Sequence, residues 1–127
     1  MSYTIKNLLE VKDSAPDFGI ADKQAARFAT KPLEAEQTGF AHISVKPSQR
    51  QPFAHRHDAG EEVYVVIAGS GRIKIDDDIE DLAKLDAIRL SPGSTHQVEA
   101  GDDGIEFIAF GPHHENDGEL IHEGFWD

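Results

Sequence analysis

The sequence has no cysteine, no long hydrophobic run and little positive charge in its second half. The absence of cysteine excludes disulfides, thiolate zinc sites and cysteine nucleophiles. The longest apolar run covers only residues 63–68, whereas a membrane-spanning helix needs about 20 apolar residues. The N-terminal residues also lack the apolar core of a signal peptide. We therefore expect a cytoplasmic protein that does not cross a membrane.

Charge is distributed unevenly along the 127 residues, whose formal net charge is −12. Residues 1–50 contain seven basic and six acidic residues, whereas residues 51–127 contain five and eighteen. No Lys or Arg follows Arg89. Such a chain repels phosphate backbones and anionic lipid surfaces. The sequence therefore disfavours nucleic acids and membranes as partners, and we interpret the acidic excess as a feature of solubility.

Composition and periodicity indicate a single all-β domain. Hydrophobic residues make up 39% and charged residues 28% of the chain, as in ordinary globular proteins, and the length suffices for one core. From Thr38 onward, short alternating segments recur at intervals of about 8–12 residues, which is typical of a β-sandwich or barrel. The predicted strands cover residues 39–46, 53–58, 61–68, 72–76, 79–84, 87–90, 96–100 and 105–110.

Turn-forming residues separate several of these predicted strands, and the N-terminal region is less regular. Residues 69–71 (Gly-Ser-Gly) predict a hairpin turn, and residues 101–104 predict another turn. Residues 22–28 have the composition of a short helix. Residues 5–11 fit either a strand or a short helix.

Three histidines and one glutamate begin or lie within three predicted strands. His55 and His57 are separated by one residue, so both side chains lie on the same face of a strand. Glu62 begins the next strand, and His96 begins a later one. Imidazole is the commonest protein metal ligand near neutral pH. Together these residues predict a metal site with three nitrogen donors and one oxygen donor.

The spacing of these residues resembles the first sequence motif of the cupin family. That motif is written G-x5-H-x-H-x3,4-E-x6-G. His55, His57, Glu62 and Gly69 fit it, and Gln49 stands where the opening glycine belongs. This departure affects a turn position and removes no metal ligand.

The second cupin motif, G-x5-P-x-G-x2-H-x3-N, is matched in part. Gly93 and His96 fit, while Leu85, Ser91 and Ala100 stand at the positions of the motif's Gly, Pro and Asn. These departures concern turn geometry and again leave every metal ligand in place. The two motifs together make the chain similar to the small single-domain microbial cupins.

The resemblance implies an all-β fold, a double-stranded β-helix or jelly-roll barrel, with a metal inside. Residues 38–111 would form the barrel core of one domain, 1–37 a short N-terminal extension, and 112–127 a C-terminal tail. The expected cofactor is one divalent transition-metal ion: Fe, Mn, Ni, Co or Zn. Four ligands that leave open coordination positions suit the first four ions better than a closed tetrahedral structural zinc.

Strand alternation also predicts the lining of a pocket around the metal. Phe53 shares a face with the two neighbouring histidines, and Tyr64 and Val66 share the face of Glu62. His42 has the parity to face inward on its own strand. We therefore expect these four residues, His42, Phe53, Tyr64 and Val66, to line the pocket. No catalytic acid or base is assigned.

Two classes of function remain open from the sequence. The first is a metal-dependent enzyme acting on a small molecule; dioxygenases are common in the family, and isomerases, epimerases and decarboxylases are relatives. The second is a non-catalytic sensor or storage module. A divalent ion with three neutral histidines and one carboxylate has a local charge of about +1. With an apolar lining, this predicts a partly apolar ligand offering a carboxylate, enolate, phenolate or diketone oxygen.

A homodimer is the expected assembly. Small cupins often pair through sheet edges or faces, since open sheet edges need to be covered. The first thirty residues lie outside the motif region, and they are the predicted segment for crossing to a partner subunit.

Overall fold

A computed structural model describes residues 2–114, 117–122 and 124–126 of the chain. Eight strands form one curled antiparallel sheet, and no α-helix occurs in these residues. Two short 3-10 turns, Leu8–Glu10 and Ala15–Phe18, precede the first strand. The strands are β1 (Gln24–Phe28), β2 (Thr38–Val45), β3 (Ala54–His57), β4 (Glu62–Ile75), β5 (Asp78–Leu82), β6 (Ala87–Leu90), β7 (Thr95–Pro112) and β8 (Gly118–Ile121). The all-β prediction is confirmed.

Strand β7 is the central strand of the sheet. Its residues 105–112 pair with β2 on one side, and residues 105–110 pair with the beginning of β4 on the other. Its first residues pair with the end of β4 and with β3. The remaining strands extend these pairs: β1 pairs with β2, β8 with β3, and β5 and β6 with β4. Residues outside 38–111 therefore contribute two strands, β1 and β8.

The predicted hairpin turn at residues 69–71 and the predicted turn at residues 101–104 are both wrong, because these segments lie inside the long strands β4 and β7. The register between β4 and β7 jumps from Gly69 opposite Ile105 to Gly71 opposite Ala100. Gly69 has a φ of 73°, and a Cβ there would lie 2.1 Å from the carbonyl oxygen of Gly104. Only glycine allows this close approach. The irregularity bends the paired strands, as β-bulges do, and so contributes to the curl of the sheet.

The helix suggested by the composition of residues 22–28 is also wrong, because this segment forms strand β1. The strand pairs with β2 over its full length, from Gln24 opposite Val45 to Phe28 opposite Ala41. Gln24 and Ala26 alternate as its buried positions. Helix propensity differs by only a few tenths of a kcal/mol between these residue types, so pairing and burial determine the structure. Within residues 5–11, the structure has the 3-10 turn.

The hydrophobic core lies within the curled sheet and consists mainly of side chains from β2, β4 and β7. Phe107, Ile73 and Ile105 are among the largest side chains that are almost completely buried. His96 belongs to the same fully buried group. None of the described residues forms a helix of the length and hydrophobicity that crossing a bilayer requires.

Candidate functional site

A cavity of about 560 Å³ opens into the curled sheet. Small-molecule sites have volumes of roughly 300–1,000 Å³, so this cavity is large enough for an organic ligand. Tyr64 and Ile43 are deeply buried in its wall, whereas Phe18, Phe28 and Leu120 line it and are exposed. The exposed residues therefore mark the mouth of the cavity, and the buried residues mark its inner part.

Three strands bring the four predicted metal ligands together beside this inner part. His55 on β3 lies directly opposite His96 on β7, and their rings are stacked with centroids 6.0 Å apart. Glu62, at the start of β4, lies between two imidazoles. Its Oε2 is 3.4 Å from Nε2 of His57, and its Oε1 is 3.6 Å from Nε2 of His96. We call these four residues the histidine–glutamate cluster.

Burial favours the neutral form of the two innermost histidines. Burial, with a smaller contribution from the charge of His57, lowers the pKa of His55 to about 4. Burial and the charges of the other two histidines lower the pKa of His96 to about 3. Burial also raises the pKa of Glu62, opposed by the charge of His57 and by the Tyr64 hydroxyl. Neutral imidazole is the form that binds metals.

Two buried atoms of the cluster, Nδ1 of His55 and Oε1 of Glu62, have no hydrogen-bond partner among the described residues. Leaving a buried polar atom unpaired costs about 1–3 kcal/mol, so such atoms are uncommon unless a ligand satisfies them. Imidazole and carboxylate donors together suit a divalent transition metal. The chemistry of the cluster therefore fits the expected ion.

The nitrogen and oxygen atoms of the two Glu62–histidine pairs lie farther apart than adjacent ligand atoms around a bound metal. No group of three or more His, Cys, Asp or Glu side chains in the described residues meets metal-site geometry. Two ligands about 2.1 Å from a metal and at right angles lie about 3 Å apart, compared with 3.4 Å and 3.6 Å for the two pairs that include Glu62. A small inward movement of these side chains would close the difference.

Asp117 is a residue of the site that the sequence analysis did not identify. Its Oδ2 lies 3.7 Å from Nδ1 of His57. Its two carboxylate oxygens also accept hydrogen bonds from the backbone N–H groups of Asp58, Ala59 and Gly60. These bonds, that of Ala59 above all, lower the pKa of Asp117. No motif spacing could reveal this residue, because only the β3–β8 pairing brings the C-terminal tail to the site.

Tyr64 is the polar partner of His96, as Asp117 is of His57. Its hydroxyl oxygen is 3.3 Å from Nδ1 of His96, and both side chains are buried. Burial raises the pKa of Tyr64 well above its ordinary value, so the hydroxyl keeps its proton. Polar partners of this kind commonly fix the orientation of metal-binding imidazoles. Asp117 and Tyr64 thus leave the Nε2 atoms of His57 and His96 facing Glu62.

Of the four expected pocket residues, two line the cavity and two do not. Phe53 and Tyr64 line the cavity, and the ring of Phe53 makes an edge contact with the ring of His55. Val66 is not among the lining residues; it is 1% exposed and packs in the hydrophobic core. It shares the face of Tyr64 but lies deeper in the barrel, where apolar side chains fill the interior.

His42 does not line the cavity either, because the expected direction of its side chain is wrong. Ala41 and Ile43 occupy the cavity face of β2. His42 lies on the opposite face, where its Nε2 contacts Oε1 of Glu106. Alternation along a strand predicts which residues share a face, but it does not say which face turns inward.

Comparisons with known proteins agree with this architecture. A family model described as the cupin domain matches residues 41–111. A cupin protein from Bacteroides fragilis is 19% identical, with a TM-score of 0.71, over 100% of this chain and 98% of that chain. A plu4264 protein structure from Photorhabdus luminescens is 25% identical, with a TM-score of 0.64, over 73% and 78% of the two chains. Among curated proteins, none matches.

A variant of oxalate decarboxylase from Bacillus subtilis is 21% identical, with a TM-score of 0.75. The match covers 94% of this chain and 34% of that chain, so the present chain spans about a third of the enzyme. At this level of identity the likeness shows the fold alone. With the Bacteroides fragilis structure, it confirms the predicted jelly-roll barrel.

Proposed function

The chain belongs to the cupin family, and from this premise we propose that it is a metal-dependent enzyme of the oxygenase type acting on a small molecule. His55, His57, Glu62 and His96 would hold one divalent transition-metal ion. The observation that carries the proposal is that two buried atoms beside the cavity, His55 Nδ1 and Glu62 Oε1, have no hydrogen-bond partner in the described part of the chain. When bound, a divalent ion with open positions polarises a substrate oxygen or activates O₂.

The residues around the cluster support binding of a substrate that offers an oxygen donor. Glu62 is the one carboxylate of the cluster, so a divalent ion there would retain a local charge of about +1. Surface charge is screened beyond about 8–10 Å at physiological salt, so the local charge outweighs the acidic exterior. Phe53 and Tyr64 add an aromatic wall to the cavity. A carboxylate, enolate, phenolate or diketone with an apolar body fits this combination.

Metal analysis of purified variants tests the proposed ion. Protein prepared without chelator should contain close to one equivalent of a transition metal, and His57→Ala and His96→Ala should each lose most of it. His42→Ala is the matched control, because His42 is a buried histidine on the other face of β2. Full occupancy in both ligand variants would exclude the assignment. Loss of metal from His42→Ala alone would point to a site elsewhere.

The alternative function is a non-catalytic sensor or storage module with the same metal. It is favoured by the engagement of two polar groups next to the cluster: the Asp117 carboxylate accepts hydrogen bonds from three backbone amides, and the Tyr64 hydroxyl contacts His96. Neither is free to act as a general acid or base. Oxygen-donor compounds that shift the melting temperature only of metal-loaded protein should be tested for turnover with and without O₂. Binding without any turnover would favour the module.

A homodimer remains our proposal for the assembly. The N-terminal segment exposes Tyr3, Ile5 and Leu9, with 83%, 82% and 74% of their surfaces accessible. Contiguous exposed apolar patches are typical of interaction surfaces, and we propose that this segment crosses to a second subunit. Light scattering at micromolar concentration should give about twice the chain mass of 14.0 kDa. A mass near that of one chain would contradict the dimer.

A further inference from the structure

The outer part of the cavity is built by residues from outside the cupin match at 41–111. Phe18 and Phe28 come from the N-terminal segment and Leu120 from β8, and they are 64%, 53% and 44% exposed. Large apolar side chains exposed together at the mouth of a cavity mark a binding surface. We call these three residues the apolar mouth. It lies on the same cavity as the histidine–glutamate cluster, so one ligand can contact both.

Gln24 on β1 is a buried polar residue that lines this cavity, and the described residues give its side-chain oxygen no hydrogen-bond partner. Its side chain lines the cavity, and the residue is only 4% exposed. Its Oε1 is buried and has no hydrogen-bond partner in the part of the chain that the structure describes. Burying an unpaired amide oxygen destabilises a fold, and leucine or methionine would avoid that cost. An amide oxygen accepts hydrogen bonds, so its missing partner is an O–H or N–H donor.

The position of Gln24 follows from strand pairing. It lies opposite Val45 on β2 and shares its face with Ala26, which also lines the cavity. The cavity residues next to it in the sheet, Ala26 and Ile43, are apolar and supply no hydrogen bond. The neighbouring described residues therefore offer this amide oxygen no donor, and a hydroxyl or N–H group of a ligand in the cavity would satisfy it.

We propose that Gln24 determines ligand specificity by accepting a hydrogen bond from a hydroxyl or N–H group of an aromatic carboxylic acid. The carboxylate lies at the histidine–glutamate cluster, and the aromatic body lies against the apolar mouth. The position of the carboxylate rests on the proposed metal function. The hydrogen bond to Gln24 rests on a separate observation, its buried Oε1, which has no partner among the described residues.

Two probes that differ by one hydroxyl test this inference directly: 3-(4-hydroxyphenyl)propanoate and 3-phenylpropanoate. Titration calorimetry with the full chain, manganese-loaded and metal-free, measures their dissociation constants. The wild type should bind the hydroxylated probe about five- to tenfold more tightly, as expected for one hydrogen bond to an otherwise unsatisfied acceptor. In Gln24→Leu this preference should fall to about one.

The stability of the ligand-free variants provides an independent readout. Gln24→Leu removes the unpaired oxygen, so its melting temperature should rise by a few degrees. Gln24→Met is a second variant of similar length for the case in which branching at Cγ disturbs the packing of β1. A purely structural glutamine would instead destabilise the protein when replaced and leave the hydroxyl preference unchanged.

Leu120→Ala and Ile79→Ala form a matched pair for the apolar mouth. Both are aliphatic residues on strands, 44% and 46% exposed, but only Leu120 lines the cavity. Leu120→Ala should weaken both probes severalfold, whereas Ile79→Ala should change neither. Light scattering should give the same mass for both variants. A dimer that dissociates only in Leu120→Ala would make the mouth a subunit interface and overturn the proposal.

The outcomes separate this inference from the proposed function. An equal hydroxyl preference in wild type and Gln24→Leu, or no binding of either probe, overturns the role of Gln24. Equal affinity of the probes for metal-free and manganese-loaded protein, with the Gln24-dependent preference intact, supports the role of Gln24 and contradicts a carboxylate at the metal.

Discussion

Two clusters of ionisable side chains in this barrel differ in how completely their polar atoms find partners. In one, Glu99 accepts hydrogen bonds from Nε of Arg50 at 2.6 Å and from Nη2 of Arg72 at 2.7 Å. The guanidinium carbons of these arginines lie 4.8 Å and 5.6 Å from the ring centroid of Trp126. In the other cluster, Glu62 lies near two histidines, and its buried Oε1 has no hydrogen-bond partner within residues 2–114, 117–122 and 124–126.

The pKa values of the two carboxyl groups show the consequence. Burial raises the pKa of Glu99, but hydrogen bonds and charges from Arg72 and Arg50 outweigh this effect, so its pKa is lowered. The same burial effect dominates at Glu62, whose pKa is raised. A carboxylate whose protein partners satisfy it stabilises the fold, whereas one left partly unsatisfied in a cavity is available to a ligand. The following predictions test that distinction.

Metal removal should have the largest effect on stability. A ligand present at about 1,000 times its dissociation constant stabilises the folded state by about 4 kcal/mol, which corresponds to about 15 °C in a domain of this size. The chelated protein should still melt cooperatively, because the apolar core does not depend on the cluster. Differential scanning calorimetry of metal-loaded and chelated protein measures the change in melting temperature and the cooperativity of unfolding. Complete unfolding on chelation would show that the ion is structural.

Trp126→Ala should have the next largest effect and should act on stability alone. The side chain is 9% exposed and packs against both arginines of the paired cluster. Large aromatic truncations cost about 3–5 kcal/mol when fully buried, so we expect a loss of about 3 kcal/mol in urea denaturation. Metal content should remain that of the wild type. A variant that keeps its stability but loses metal would remove the contrast between the two clusters.

Asp117→Ala should affect both stability and metal binding. It removes the acceptor of three backbone N–H groups and the carboxylate near His57. Loss of a polar partner of a metal-binding histidine typically costs about 10- to 100-fold in metal affinity. Competition with a chromogenic chelator should show at least the lower value, and Asp117→Asn should lose less. An unchanged metal affinity in Asp117→Ala would show that Asp117 only fixes the backbone of residues 58–60.

Glu99→Gln should have the smallest effect, and the effect should depend on pH. Because the folded-state pKa of Glu99 lies below the ordinary value of 4.5, ionised Glu99 stabilises the fold above that pH. The contribution is lost as pH falls from 4.5 through the lowered pKa. Partly exposed ion pairs contribute about 1 kcal/mol or less. Urea denaturation should show the stabilities of the two proteins converging as the pH falls below 4.5. A constant difference would contradict the charge argument.

Local patterns in the sequence were sufficient to predict most strands of the barrel core and the four residues of the histidine–glutamate cluster. His55 and His57 alternate within one strand, and the spacings to Glu62 and Gly69 are short. Period-two alternation depends on backbone geometry alone, so it can be read without knowing which strands pair. Alternation did not reveal that residues 69–71 continue a strand, because their conformation depends on the bulge near Gly104 in the opposing strand.

The family and the four residues that meet beside the cavity could be predicted from the sequence, because both follow from residue types at short, regular separations. The strand β1, the direction of His42 away from the cavity and the contact of Asp117 with His57 became evident only from the folded chain. The same is true of the buried Oε1 of Gln24, which has no hydrogen-bond partner among the described residues. These outcomes depend on which strands pair and which face turns inward, and both are set by contacts between distant segments.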